Sequence, residues 1–258
     1  MTAKEKLIVA LDVDDGRRGL ALFDALKDCV GMFKIGAQLF TAAGPDLVRQ
    51  IISRGGRVFL DLKYHDIPNT VALAGIEATR LRVSIFNIHA SGGAEMMKRT
   101  AEAVVETAAR ENLPKPKVLA VTLLTSIDQE TLRQIGIDDR APTVVARLAS
   151  LAEACGLDGV VASCHEIKII RETVSKPDFI ILTPGIRPSV GKSDDQRRVA
   201  TVAEAISAGA DYIVVGRPIL NADEPADAAR SIVDEIAGAL RPPSASDFVE
   251  QSRVQSVH

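Results

Sequence analysis

The chain has 258 residues, 47% of them hydrophobic, which allows a large buried core and makes a single domain the expectation. Its net charge is −3, with Lys and Arg scattered rather than striped, so nucleic-acid and anionic-membrane partners are not expected and a small-molecule ligand is. No apolar run approaches the ~18 residues of a membrane span. The three cysteines, Cys29, Cys155 and Cys164, lack metal-type spacing and cannot pair completely, so small buried thiols in a reducing, cytoplasmic setting are expected.

Residues 1–6 run straight into the first of eight short β-branched runs, at 7–12, 32–36, 58–62, 84–89, 118–124, 159–163, 179–183 and 212–216. Near-continuous apolar strands suit a parallel sheet covered on both faces. Eightfold strand–helix alternation therefore predicts an α/β, (β/α)8 TIM barrel over residues 1–240, with a doubly wound open sheet as the alternative. Between strands, Gly44-Pro45-Asp46 opens a helix over 47–53, and Gly92-Gly93 precedes a long amphipathic run over 94–112. The segment 186–199 is too long and polar for a minimal turn and reads as a lid. Beyond Leu240, Arg241-Pro242-Pro243-Ser244-Ala245-Ser246 begins a tail over 241–258, expected to be mobile.

The carboxyl ends of these runs carry Asp12, Lys34, Asp61 with Lys63, His89, Thr125, Ser163, Arg187 and Gly216-Arg217. A barrel gathers such ends at one mouth, where barrel active sites lie. The densest stretch is Asp61-Leu62-Lys63-Tyr64-His65-Asp66. Strand alternation points Asp61 and Lys63 the same way, and at about 4 Å the two charges attract by roughly 4 kcal/mol at an effective dielectric of 20. A solvated edge or a structural ion pair is the plain alternative. Pro184-Gly185-Ile186-Arg187 and Gly216-Arg217-Pro218 supply backbone amides and two guanidinium groups where barrels often hold phosphate, and Gln196 adds a donor. His65, His89, Asp61 and Asp66 have metal-ligating chemistry, but the Lys63 ammonium among them would repel a cation, so no metal is expected.

The run Asp61-Leu62-Lys63-Tyr64-His65-Asp66-Ile67-Pro68-Asn69-Thr70-Val71 resembles the bacterial orotidine 5'-phosphate decarboxylase family, as do Ala10-Leu11-Asp12, Lys34-Ile35-Gly36, Leu123-Leu124-Thr125-Ser126, Thr183-Pro184-Gly185-Ile186-Arg187-Pro188 and Val215-Gly216-Arg217-Pro218-Ile219. The resemblance spans residue 7 to about 240, and Val202, in place of a proline, is a minor departure. It implies cofactor-independent decarboxylation of orotidine 5'-monophosphate to uridine 5'-monophosphate in de novo pyrimidine biosynthesis. It further implies that Asp12 binds the ribose, that Lys34, Asp61, Lys63 and Asp66 form a charge array with Lys63 as proton donor, and that Thr125 meets the pyrimidine. Arg187, Gln196, Gly216 and Arg217 would hold the phosphate, and Asp66 and Thr70 would reach the neighbouring site of a homodimer. Asp66 immediately precedes Ile67-Pro68, where the chain leaves the strand to open a helix, so its side chain need not face its own pocket. Related sugar-phosphate barrels, hexulose-phosphate synthases and keto-gulonate-phosphate decarboxylases, share a similar Asp-x-Lys-x-x-Asp core but need Mg²⁺; Thr125-Ser126 and Ile67-Pro68-Asn69-Thr70 favour the pyrimidine nucleotide. A non-catalytic phosphometabolite-binding barrel would have little need of alternating charges.

Overall fold

In a computed structural model, which describes residues 1–188 and 200–241, the eight apolar runs form parallel strands. They are β1 (Leu7–Ala10), β2 (Met32–Gly36), β3 (Val58–Tyr64), β4 (Ile85–His89), β5 (Lys117–Val121), β6 (Gly159–Val161), β7 (Ile180–Thr183) and β8 (Tyr212–Val215). Each pairs with its sequence neighbours, and β8 closes on β1 with Leu7 opposite Ile213, giving a closed barrel and removing the open-sheet alternative.

The strands are apolar almost throughout because both faces are buried. Ile8, Ala10, Met32, Phe59, Ile85, Leu119, Val121, Val161, Leu182 and Val214 fill the barrel interior. The alternate residues, among them Leu7, Val9, Phe33, Ile35, Leu60, Phe86 and Ile88, pack outward beneath the helices. Burying one such side chain contributes roughly 1.5–3 kcal/mol, and both sets contribute along every strand.

Several boundaries differ from the sequence reading. β1, β5 and β6 stop short of the expected residues 12, 124 and 163, because the chain turns outward at the mouth and leaves Asp12, Thr125 and Ser163 on the loops that follow. β3 runs on to Tyr64 through a register shift against β4. The opening residues do not run straight into β1: Ala3–Lys6 form a helical turn, capped by Thr2 and Glu5. The helix expected over 47–53 begins already at Ala37 and is interrupted at Gly44, whose φ of 67° needs no Cβ to be avoided; Pro45 then restarts it to Ser53. The cysteines are unpaired but half-buried rather than enclosed.

Ile186–Arg187 pair with Ala200–Thr201 in a separate two-stranded ribbon that brings together the two ends of the expected lid. Residues 189–199, including Gln196, and the tail from 242 lie outside the described residues. Among the described residues no helix is long and apolar enough to cross a membrane.

Candidate active site

Four of the expected residues form one chain of alternating charge at the carboxyl mouth. Lys34 Nζ, from β2, donates to Asp12 Oδ1 at 2.9 Å and stands 3.3 Å from Asp61 Oδ2. Lys63 Nζ donates to Asp61 Oδ1 at 2.6 Å. Asp61 and Lys34 are enclosed, with side chains 10% and 12% exposed, whereas Lys63 at 36% and Asp12 at 52% face the opening. Burial opposes the charge on Lys34, but Asp61 and Asp12 outweigh it and hold the ammonium above the usual lysine value. Lys34 is thus kept ionised away from bulk water.

Plain strand alternation does not explain how Lys63 reaches Asp61. Lys63 adopts a left-handed backbone, φ 51°, within the register shift between Leu60 and Tyr64. For a side chain with a Cβ this costs on the order of 1–2 kcal/mol and persists only where surrounding contacts impose it. The contact is Asn87, a fully buried residue of β4 that the sequence reading did not single out. Its Oδ1 accepts the Lys63 backbone N–H at 2.8 Å, and its Nδ2 donates to Asp61 Oδ1 at 2.7 Å. The available signal was a polar residue at an inward position of the otherwise apolar run Ile85-Phe86-Asn87-Ile88.

The turn after β8 lies against this array. A Cβ on Gly216 would stand 3.4 Å from Asp12 Oδ2, and one on Gly36 would stand 3.0 Å from Lys34 Nζ, so both positions leave room that a side chain would take. Arg217 begins the short helix Arg217–Leu220 directly beyond Gly216, and Arg187 ends the ribbon strand that follows the left-handed Gly185. Thr125 is half-buried beyond β5, next to Leu123 and Leu124. These two leucines, with His65, His89, Ile127 and Ile135, help to line an apolar cavity of about 350 Å³ beside the array. The His65 and His89 rings lie 5.3 Å apart, and burial, aided by His65 and Lys63, pushes His89 below the usual histidine value despite Asp61.

Asp66 and Thr70 do not join the array. Both are exposed at the start of the helix Pro68–Arg80, and the Asp66 carboxylate accepts the N–H of Ile67 at 2.6 Å.

A family model described as Orotidine 5'-phosphate decarboxylase / HUMPS family matches residues 5–232. The chain belongs to this family. Proteins named orotidine 5'-phosphate decarboxylase from Geobacter sulfurreducens and Syntrophotalea carbinolica are 55% and 54% identical to it, over 91% and 92% of this chain and 97% of each relative. The crystal structure of orotidine 5'-phosphate decarboxylase from Lactobacillus acidophilus superposes with a TM-score of 0.79 at 36% identity, covering 89% of this chain and 98% of that one. Matches of this coverage extend over the whole barrel.

Proposed function

We propose that the chain is a carboxy-lyase that converts orotidine 5'-monophosphate to uridine 5'-monophosphate in de novo pyrimidine biosynthesis, without a cofactor. The observation that carries this reading is the alternating array Asp12, Lys34, Asp61 and Lys63 at the mouth of a barrel of this family. Loss of carbon dioxide leaves an electron pair in the plane of the pyrimidine at C6, where the ring delocalises it poorly, so electrostatics must stabilise it. The substrate carboxylate is repelled by Asp61, whereas the developing carbanion is attracted by the Lys63 ammonium, which then donates its proton to C6. An array that disfavours the bound acid and favours the charge formed in the transition state raises the rate.

The remaining roles are those that the family resemblance implies. Asp12 takes the ribose hydroxyls, and Thr125 meets the pyrimidine edge. Gly216, Arg217 and Arg187 hold the phosphate, away from the reacting carbon, so that their binding energy serves to orient the ring and exclude water, and Gln196, outside the described residues, is assigned to the same group by the family resemblance. Asp66 and Thr70, exposed and outside their own array, reach the site of the second subunit of a homodimer. The donor chemistry favours this reading over a Mg²⁺-dependent sugar-phosphate reaction, because a divalent ion at Asp61 would sit between two ammonium groups.

The test is turnover of orotidine 5'-monophosphate in excess chelator, followed by the loss of its ultraviolet absorbance. Undiminished turnover is expected. Inactivity on this nucleotide, or activity lost to chelator and restored by Mg²⁺, overturns the reading.

A further inference from the structure

We infer that Asn87 is a positioning residue of this reaction, which sets the geometry of the proton donor and of its carboxylate partner through one side-chain amide. The inference rests on the decarboxylase reading and adds to it a residue outside the charge array.

Asn87 lies on β4 between Ile85, which faces the barrel interior, and His89 at the strand end, and its side chain has no exposure. A buried amide left unpaired costs about 1–3 kcal/mol, so such a residue in the middle of an apolar strand calls for partners of both kinds. Both partners belong to the array. The carbonyl oxygen accepts the backbone N–H of Lys63, and the NH₂ group donates to the Asp61 oxygen that also accepts Lys63 Nζ. The reverse orientation would set NH₂ against N–H and a carbonyl against a carboxylate, so the partners themselves determine which way the amide points.

The physical consequence lies at Lys63. Its backbone is left-handed within a bulge, where a lysine does not rest without support. Asn87 supplies that support from the neighbouring strand, and by gripping Asp61 it also fixes the distance between the bulge and the carboxylate. Without it, Lys63 can relax toward ordinary strand geometry and its ammonium leaves the position from which it meets C6. A displacement of about 1 Å is enough to cost on the order of a hundredfold in rate.

The experiment compares Asn87→Ala and Asn87→Asp with the wild type by three measurements: kcat on orotidine 5'-monophosphate, affinity for uridine 5'-monophosphate, and hydrogen exchange of the Lys63 amide. Asn87→Ala should lose roughly a hundredfold in kcat while binding the product nucleotide within about threefold of wild type, and its Lys63 amide should lose protection. Asn87→Asp keeps the acceptor for that N–H but turns a second oxygen toward Asp61, so it should retain the protection and still lose kcat. If Asn87→Ala does not fold, Asn87→Asp carries the kcat test alone. A folded Asn87→Ala whose kcat stays within about twofold of wild type overturns the inference, as does a Lys63 amide whose exchange ignores the substitution. If the wild type itself does not decarboxylate the nucleotide, the function reading fails, while the exchange measurement still decides whether Asn87 holds Lys63.

Discussion

Both ends of this barrel carry a nearly enclosed aspartate between two lysines, yet only one of them is built like a site. At the amino ends, Asp158 precedes β6 and accepts from Lys115 at 3.0 and 3.1 Å and from Lys117 at 3.2 Å. Its other partner is backbone: Val118 N–H donates to it at 2.9 Å, while Asp158 N–H returns a bond to the Val118 carbonyl at 3.0 Å. Asp211 repeats the device before β8, accepting from Ile181 N–H at 2.8 Å and from Arg171. These carboxylates staple adjacent strands, and the lysines around Asp158 keep side chains 38% and 50% exposed. Among the described residues, Asp61, at the opposite mouth, receives only side-chain donors, from Lys34, Lys63 and Asn87, and one of those lysines stands on strained backbone. A Lys–Asp–Lys cluster alone therefore does not distinguish staple from site. The difference lies in whether backbone or side chains satisfy the carboxylate, and where strain is held.

Substitutions at the two ends should separate cleanly. The largest effect is expected for Lys63→Ala, which should lose about ten-thousand-fold in kcat while still binding uridine 5'-monophosphate, because in the proposed mechanism the ammonium acts on charge that appears only during reaction. Near-normal turnover would remove Lys63 as the proton donor and make the mouth array another staple.

At the other end, Asp158→Ala should leave kcat of the folded protein unchanged but reduce stability by about 2 kcal/mol, since Val118 N–H is left unpaired. Burial raises the Asp158 carboxyl, but the Val118 N–H and the two lysines outweigh it and hold it below the usual value. Its contribution to stability is thus present above the ordinary aspartate pKa and disappears as pH falls through the lowered one. Denaturation curves of wild type and variant should converge in acid; a constant gap across pH would show that the loss is packing rather than charge.

The staples lie wholly within one chain, whereas the mouth is proposed to borrow Asp66 from a second. Lys63→Ala and Asp66→Asn dimers should each be nearly inactive, yet random subunit exchange should restore about a quarter of wild-type activity, because half the dimers are mixed and half their sites intact. No recovery after confirmed exchange would place Asp66 in its own subunit's site.

The smallest effect concerns His89, which folds with its protonation disfavoured. Below about pH 6.5 the unfolded chain takes up a proton that the folded chain resists, so stability should fall as pH drops from 7.5 to 5.5. His89→Gln should flatten that slope in chemical denaturation; an unchanged slope would assign the acid sensitivity elsewhere.

The barrel was legible in the chain because both strand faces are buried, and burial on both faces writes itself as uninterrupted apolar runs such as Leu7-Ile8-Val9-Ala10. The runs alone leave strand order open between a barrel and a doubly wound sheet, and the pairing of β8 with β1 decides it. Lys34, Asp61 and Lys63 were legible because ionised residues at strand ends stand out against such runs. Tertiary structure decided which charges meet and how. Asp61 and Asp158 have the same residue types nearby, and only the assembled barrel shows that side chains satisfy one and a neighbouring backbone N–H helps to satisfy the other. The left-handed turn at Lys63 was invisible to local pattern, since alternation predicts an extended residue there and the competing hydrogen bond comes from Asn87, 24 residues away on the next strand. A backbone conformation imposed from outside its own segment leaves no periodic trace in that segment, so only the assembled barrel shows it.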